Sequence, residues 1–187
     1  EREQKERDRL LSLAHESWAD HFRRRTMVEI DEMDGLELEE FLAKLLGIAG
    51  YTNISLTSYS NDQGGDILCE WPTVGAQIVI QAKRWNKSLG NGVIQEILGA
   101  MLHYGAQTGI VMTNSRFTES AKRLAAKDRR IMLFDRQHLE KLIAKCLPER
   151  IPAFDELEYS RLGLWPKLPS EDCGNQAIGK FDRSKEF

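Results

Sequence analysis

Asp66, Gln81 and Lys83 are the residues whose types and spacing could do chemistry. Residues 77–83 read QIVIQAK; in a strand the side chains alternate, so Gln77, Val79, Gln81 and Lys83 share one face and Ile78, Ile80 and Ala82 the other. Only the isoleucine face is expected to be buried. Residues 66–71 read as a partner strand, with Pro72 to Gly75 as the connecting turn. A hairpin of the two would carry the Asp66 carboxylate towards the Gln81 amide and the Lys83 ammonium. Hard oxygen donors of this kind suit Mg²⁺, which takes one or two carboxylates plus waters and phosphate oxygens. Asp66 is the expected central ligand. The Gln81 side-chain carbonyl, the Ala82 backbone carbonyl and Glu39 from the preceding helix would add to it, and Mn²⁺ is expected to substitute. Such an ion polarises a phosphate and acidifies a bound water. Lys83 would orient that water or neutralise growing charge. The chemistry indicated is phosphodiester hydrolysis. Taken singly, each residue has a plainer reading: Asp66 closing a turn, Lys83 and Arg84 forming a solvated strand end, and Glu37, Glu39 and Glu40 favouring a helix N-terminus.

Several elements must position these groups. Leu36, Leu38, Phe41, Leu42, Leu45, Leu46 and Ala49 recur at helical spacing, and Gly50 supplies the stop. Residues 53–58 read as a strand and 61–65 (NDQGG) as a turn. Val93, Ile94, Ile97, Leu98, Met101 and Leu102 mark a second helix. Residues 110–113 form a buried strand. A third helix spans 117–127, with Ser115 or Thr118 as its cap. A strand at 131–134 and a helix at 136–146 complete an α/β arrangement around a mixed sheet.

Two flanks enclose this centre of residues 34–146. Residues 1–31 open with a charge run and continue with Leu10, Leu11, Ala14, Trp18 and Phe22 on one stripe, which predicts an amphipathic or linker helix. Residues 147–187 hold four of the five prolines and are expected to be an irregular extension anchored by Phe154, Tyr159, Leu162, Leu164 and Trp165. The chain has 187 residues, 41% hydrophobic and 29% charged, an ordinary globular balance. No apolar run approaches the roughly 18–20 residues of a membrane span. Cys69, Cys146 and Cys173 show no CxxC spacing, and the four histidines no ligand pattern, so idle thiols in a reducing cytoplasm are expected. An opening on Glu1 rather than Met is what a piece of a longer protein would show, and an upstream regulatory or sensor domain or partner is expected there.

A net charge of −3 argues against a protein that coats nucleic acid indiscriminately. A near-neutral centre can still present a basic rim. Arg84, Lys87 and Arg116 are candidates for phosphate contacts, with Trp85 interleaved for stacking or packing. Lys122, Arg123, Lys127, Arg129 and Arg130 read as a solvated helix face.

From Met33 to about Ile143 the sequence resembles the Mrr-like branch of the PD-(D/E)xK restriction-endonuclease superfamily. The matching segments are MDGLELEEFLAKLLGIAGY, NDQGGDILCEW, IVIQAKRWNKSLGNGVIQEI, GIVMTNSRFTESAKRLA and LFDRQHLEKLI. That family's order is a helix Glu, then Asp, then Gln-x-Lys. The resemblance implies Glu39 for the helix acid, then Asp66, Gln81 and Lys83, with Gln95 as a supporting glutamine facing the site. Leu38 stands where the family commonly has Phe. The implied fold is a three-layer restriction-endonuclease-like domain, a central mixed β-sheet flanked by helices. The implied activity is Mg²⁺-dependent DNA cleavage in defence against foreign DNA, antiviral defence included. The winged-helix DNA reader that usually flanks such domains is not evident here.

Two other functions fit the sequence. One is a structure-selective nuclease of the Holliday-junction type. The other is a non-catalytic nucleic-acid-binding or assembly module, which the acidic total charge would suit but the intact D…QxK set opposes. DNA is the expected partner, and a homodimer would suit a concerted double-strand cut.

Overall fold

The computed structural model describes residues 2–57 and 64–164. It divides into two compact units, one of His21–Pro152 and one of Glu1–Asp20 with Ala153–Phe187.

The larger unit is built on a five-stranded sheet in the order β1-β2-β3-β4-β5, formed by Thr52–Leu56, Ile67–Glu70, Gln77–Lys83, Thr108–Thr113 and Ile131–Phe134. The first three strands pair antiparallel and the last two run parallel to β3. Helix α1 (Arg2–Glu32) contributes its last part to this unit. The other helices here are α2 (Gly35–Ile48), α3 (Gly92–Tyr104), α4 (Glu119–Ala125) and α5 (Arg136–Cys146). Leu38, Leu42, Leu45 and Leu46 of α2 pack with Leu139 and Ile143 of α5 on Ile78, Ile80, Ile110 and Met112 of the sheet. Val93, Ile94, Ile97 and Met101 of α3, with Ala121 and Ala125 of α4, cover Val79, Val111 and Ile131 on the opposite face. The result is a three-layer α/β arrangement around a mixed sheet.

Strand β3 is therefore buried on both faces, not only on its isoleucine side. Strands with parallel neighbours are covered twice in this way because crossover helices lie on either side. Gly109 lets α3 press onto β4: a Cβ there would lie 2.6 Å from the Met101 sulfur. One member of the expected α3 stripe, Leu102, points the other way and is 86% exposed.

The local caps follow from side-chain chemistry. Asp34 accepts from the Glu37 N–H at 2.9 Å while the Glu37 carboxylate accepts from the Asp34 N–H at 2.8 Å, a reciprocal box that starts α2. Thr118 caps α4, and Asp135 caps α5. The basic run near α4 is exposed, with Lys122 on Glu119 and Arg130 on Asp128, as a solvated face should be.

In the smaller unit, Trp18 of α1 meets Phe154 edge-on with ring centroids 5.7 Å apart, and His15 stacks on Phe154 at 4.2 Å. Tyr159 is buried on α6 (Glu156–Arg161), whose N-terminus Asp155 caps. Regular structure thus occurs where the prolines had predicted none. Pro148 opens a short 3-10 turn and Pro152 precedes α6, so neither interrupts a helix. Trp165, Pro166, Pro169, Cys173 and residues 58–63 lie outside the described residues.

Candidate active site

Gly64, at φ +72°, turns the chain into Asp66. The Asp66 N–H then donates to the Ile80 carbonyl at 2.8 Å, extending the β2–β3 ladder by one bond. This fixes the Asp66 carboxylate over the end of β3, where its Oδ2 accepts the Ala82 N–H at 2.7 Å. Burial pushes the Asp66 carboxyl above its ordinary value. The Ala82 N–H and the Lys83 charge oppose that shift, and Glu96 adds to it.

Glu39 projects from the second turn of α2, half-buried. Burial raises its carboxyl first, then the charges of Asp66 and Asp34, while Lys83 lowers it. Its neighbours are otherwise engaged: Glu37 in the capping box, and Glu40 in solvent 4.0 Å from Lys44. The Asp66 charge is felt at Glu39.

Gln81 is only 1% exposed. Its Nε2 donates to Glu96 Oε2 at 2.7 Å, and the Lys83 ammonium lies 3.0 Å from the same oxygen. The Gln81 Oε1 is buried and finds no hydrogen-bond partner among the described residues. Four sequence-predicted residues, Glu39, Asp66, Gln81 and Lys83, thus converge at one end of β3. Gln95 does not join them. Gln95 and Glu96 are both exposed, and the residue of α3 that reaches Gln81 and Lys83 is Glu96, which sequence reasoning missed. A signal was present. At about 100° per residue, the buried stripe of Val93, Ile94, Ile97 and Met101 turns Gln95 to the far side and leaves Glu96 on the border.

Among the described residues no three His, Cys, Asp or Glu side chains form a preformed cation cage. The donor set nevertheless fits a hard cation. It offers the oxygens of Asp66 and Glu39 and the orphaned Gln81 carbonyl, and Mg²⁺ retains several waters rather than demanding an all-protein cage. The Ala82 N–H bonds the Asp66 carboxylate.

A cleft of about 550 Å³ lies where β3 and β4 run out, lined by Arg84, Trp85, Lys87, Arg116, Asp31 and Arg136 among others. The three cations expected to contact phosphate therefore share one cavity. Trp85 is 53% exposed there. Arg136 Nη1 donates to both oxygens of Asp31 at 2.9 and 3.0 Å, and Asn114 Nδ2 donates to Asp31 Oδ1 at 2.7 Å. Asn114, 6% exposed, also accepts the Trp85 N–H at 2.9 Å. Ser115 Oγ ties the Lys87 carbonyl at 2.7 Å, so the loops after β3 and β4 hold each other in place. Asp31, Asn114 and Arg136 were not anticipated. Their cue lies in the topology, since α/β sheets bind ligands beyond the carboxyl ends of their parallel strands.

A mixed sheet between helical layers, with an acid–Gln-x-Lys set at the end of one strand, defines the PD-(D/E)xK nuclease fold. Residues 30–143 match the Mrr-type restriction endonuclease catalytic family, and the chain belongs to that family. Over 100 residues it is 28% identical to the type IV methyl-directed restriction enzyme EcoKMrr of Escherichia coli (strain K12), covering 52% of this chain and 33% of that protein. The chain therefore spans about a third of the length of this curated relative. Among solved structures, the DNA modification-dependent restriction endonuclease AspBHI superposes with a TM-score of 0.52 at 14% identity, covering 80% of this chain and 40% of that one. The MspJI restriction endonuclease in complex with a 27-mer oligonucleotide gives 0.51 at 13% identity, over 70% and 32% of the two chains. These two structures share the fold. No helix among the described residues is long and apolar enough to cross a membrane.

Proposed function

We propose that this domain is a divalent-metal-dependent endonuclease that hydrolyses DNA phosphodiester bonds, acting in the cytoplasm as the cutting part of a restriction-type defence against foreign DNA. The observation that carries this reading is the meeting of Asp66, Gln81, Lys83 and Glu39 at the end of β3, with membership of the restriction-endonuclease family behind it.

Each residue has a role that its surroundings suit. Asp66 and Glu39, with the Gln81 side-chain carbonyl and the Ala82 backbone carbonyl, would hold Mg²⁺ or Mn²⁺. Such an ion supplies a Lewis acid for the phosphate and an acidified water. The Ala82 N–H orients the Asp66 carboxylate. Lys83 places a positive charge where negative charge gathers on the phosphate during attack. Arg84, Lys87 and Arg116 neutralise neighbouring phosphates, which sets the register of the strand without reading its sequence. Two copies of the domain, as a homodimer, would be needed for a concerted double-strand cut, and an upstream domain or partner would choose the target.

The raised carboxyls impose a pH dependence. Protonated Asp66 and Glu39 cannot hold a cation, and burial raises both carboxyls, so cleavage rises with pH as they ionise. The direct test is plasmid cleavage with Mg²⁺ and with Mn²⁺. Wild type should nick or linearise the plasmid, and neither Asp66→Ala nor Lys83→Ala should. Cutting at the wild-type rate by either variant would sink the assignment. A branched substrate run beside the linear one separates general cutting from junction-selective cutting.

A further inference from the structure

We propose that the cleft beyond β3 and β4 holds one unpaired nucleobase, stacked on the indole of Trp85, beside the phosphate to be cut. The inference rests on the nuclease reading above and narrows its substrate to DNA with a base out of the helical stack.

Among the described residues Trp85 is the one exposed aromatic; every other Phe, Tyr and Trp there is buried or partly buried. Neither a ring nor a guanidinium of those residues lies over its indole. An exposed apolar side chain on its own means little. Trp85 differs in its company, since it lines a cleft with Arg84, Lys87 and Arg116. An aromatic face among cations that track a backbone is how proteins grip unpaired nucleic acid. The segment that carries the indole is braced. Its N–H donates to Oδ1 of the buried Asn114 at 2.9 Å, and Ser115 Oγ donates to the Lys87 carbonyl at 2.7 Å. The Leu89 N–H donates to the Arg116 carbonyl at 2.8 Å, and the Thr118 N–H to the Leu89 carbonyl at 2.9 Å. Little backbone is left to order on binding.

Size and lining suit a base. The cleft of about 550 Å³ is in the range that one small ligand fills, and it is far too small for a duplex. Within a paired duplex only base edges show in the grooves. An indole can therefore stack only on a base that has left the helix. The acid in the cleft points the same way. The Asp31 carboxylate repels phosphate but not a neutral base, and Asn86 and Ser88 add neutral hydrogen-bonding groups to the lining. Chain geometry ties this base to the reaction. Trp85 follows Lys83 by two residues, at most about 7 Å of extended chain. The stacked base thus belongs to the nucleotide at the phosphate that Lys83 meets, or to its neighbour.

The test is binding of the full chain to two labelled duplexes of one sequence, without divalent metal, followed by fluorescence anisotropy. One duplex is fully paired and the other carries a single unpaired 5-iododeoxyuridine. Wild type should bind the second about tenfold or more tighter. Trp85→Ala should lose that preference while binding the paired duplex within about twofold of wild type, and Trp85→Phe should keep most of it. Irradiating the wild-type complex should crosslink the unpaired base to Trp85, as mass spectrometry would locate. Equal affinity of wild type for the two duplexes, an undiminished preference in Trp85→Ala, or crosslinks only to other residues overturns the inference. Equal weakening of both duplexes by Trp85→Ala and Trp85→Phe would mark the indole as packing alone and overturns it too. Plasmid cleavage with Mg²⁺ and Mn²⁺ separates the two levels. If wild type cuts and Asp66→Ala does not, yet no preference is seen, only the present inference fails. If the preference is seen but wild type cuts nothing, the nuclease reading fails, and with it the claim that this base lies beside a cut.

Discussion

At the end of β3, Asp66, Glu39 and Glu96 crowd around a single ammonium, Lys83, and a buried amide oxygen goes unpartnered. In the cleft that begins one residue further along, Arg84, Lys87, Arg116 and Arg136 surround a single acid, Asp31, whose two oxygens are both bonded. One region holds excess negative charge at a cost in desolvation. The other holds excess positive charge around an acid already bonded to Arg136 and Asn114. An added cation would relieve the first and a polyanion would meet the second. Reaction and grip are thus assigned to separate groups, and substitutions should separate them.

The largest effects are expected in the acidic region. Lys83→Ala should lower single-turnover cleavage by about a hundredfold to a thousandfold, and filter binding should show DNA affinity little changed. The reverse pattern is expected of the cleft. Changing Arg84, Lys87 and Arg116 together to Ala should weaken DNA binding and flatten its salt dependence by about one unit of slope per residue. Mn²⁺ affinity in that triple variant should stay at the wild-type value.

Asp31 sharpens the comparison further. Asp31→Asn removes the one acid from the cleft and leaves Arg136 to Glu140, at 3.5 Å, and to the Asn114 carbonyl, at 3.1 Å. Duplex binding should tighten a few-fold at low salt, with a steeper salt dependence. The variant should also melt lower, since both oxygens of Asp31 are engaged. The pair is about a third exposed on each side, at 32% and 37%, so the loss should be modest.

The smallest predicted effect concerns stability and pH. A carboxyl raised on folding stabilises the fold while protonated, and that contribution is lost as pH rises through the raised value. For Asp66 the loss begins above its ordinary 3.8. Without divalent metal, Asp66→Asn should melt above wild type at pH 7, by on the order of 2 °C. The gap should close as pH falls towards 4. Added Mg²⁺ should stabilise wild type and leave the variant unchanged.

Much of the acidic region was legible in the sequence because a hairpin is a local object. Alternation in QIVIQAK and a short turn are enough to bring Asp66 to Gln81 and Lys83. Helix contributions were harder to read. Periodicity alone does not choose Glu39 over Glu37 or Glu40; that choice came from the family resemblance, and the capping box shows why Glu37 is otherwise occupied. Glu96 was passed over for Gln95 because resemblance was followed where helical phase pointed to the border position. The cleft was half legible. Arg84 and Lys87 follow the catalytic strand directly, but Asp31 and Arg136 lie 105 residues apart and meet only through the tertiary fold.

The most direct measurement is single-turnover cleavage of a labelled duplex by Asp66→Asn, with DNA binding measured on the same sample. We expect the duplex to be bound about as tightly as by wild type and left uncut in both Mg²⁺ and Mn²⁺. Cutting at the wild-type rate by Asp66→Asn would contradict the assignment of the reaction to this site.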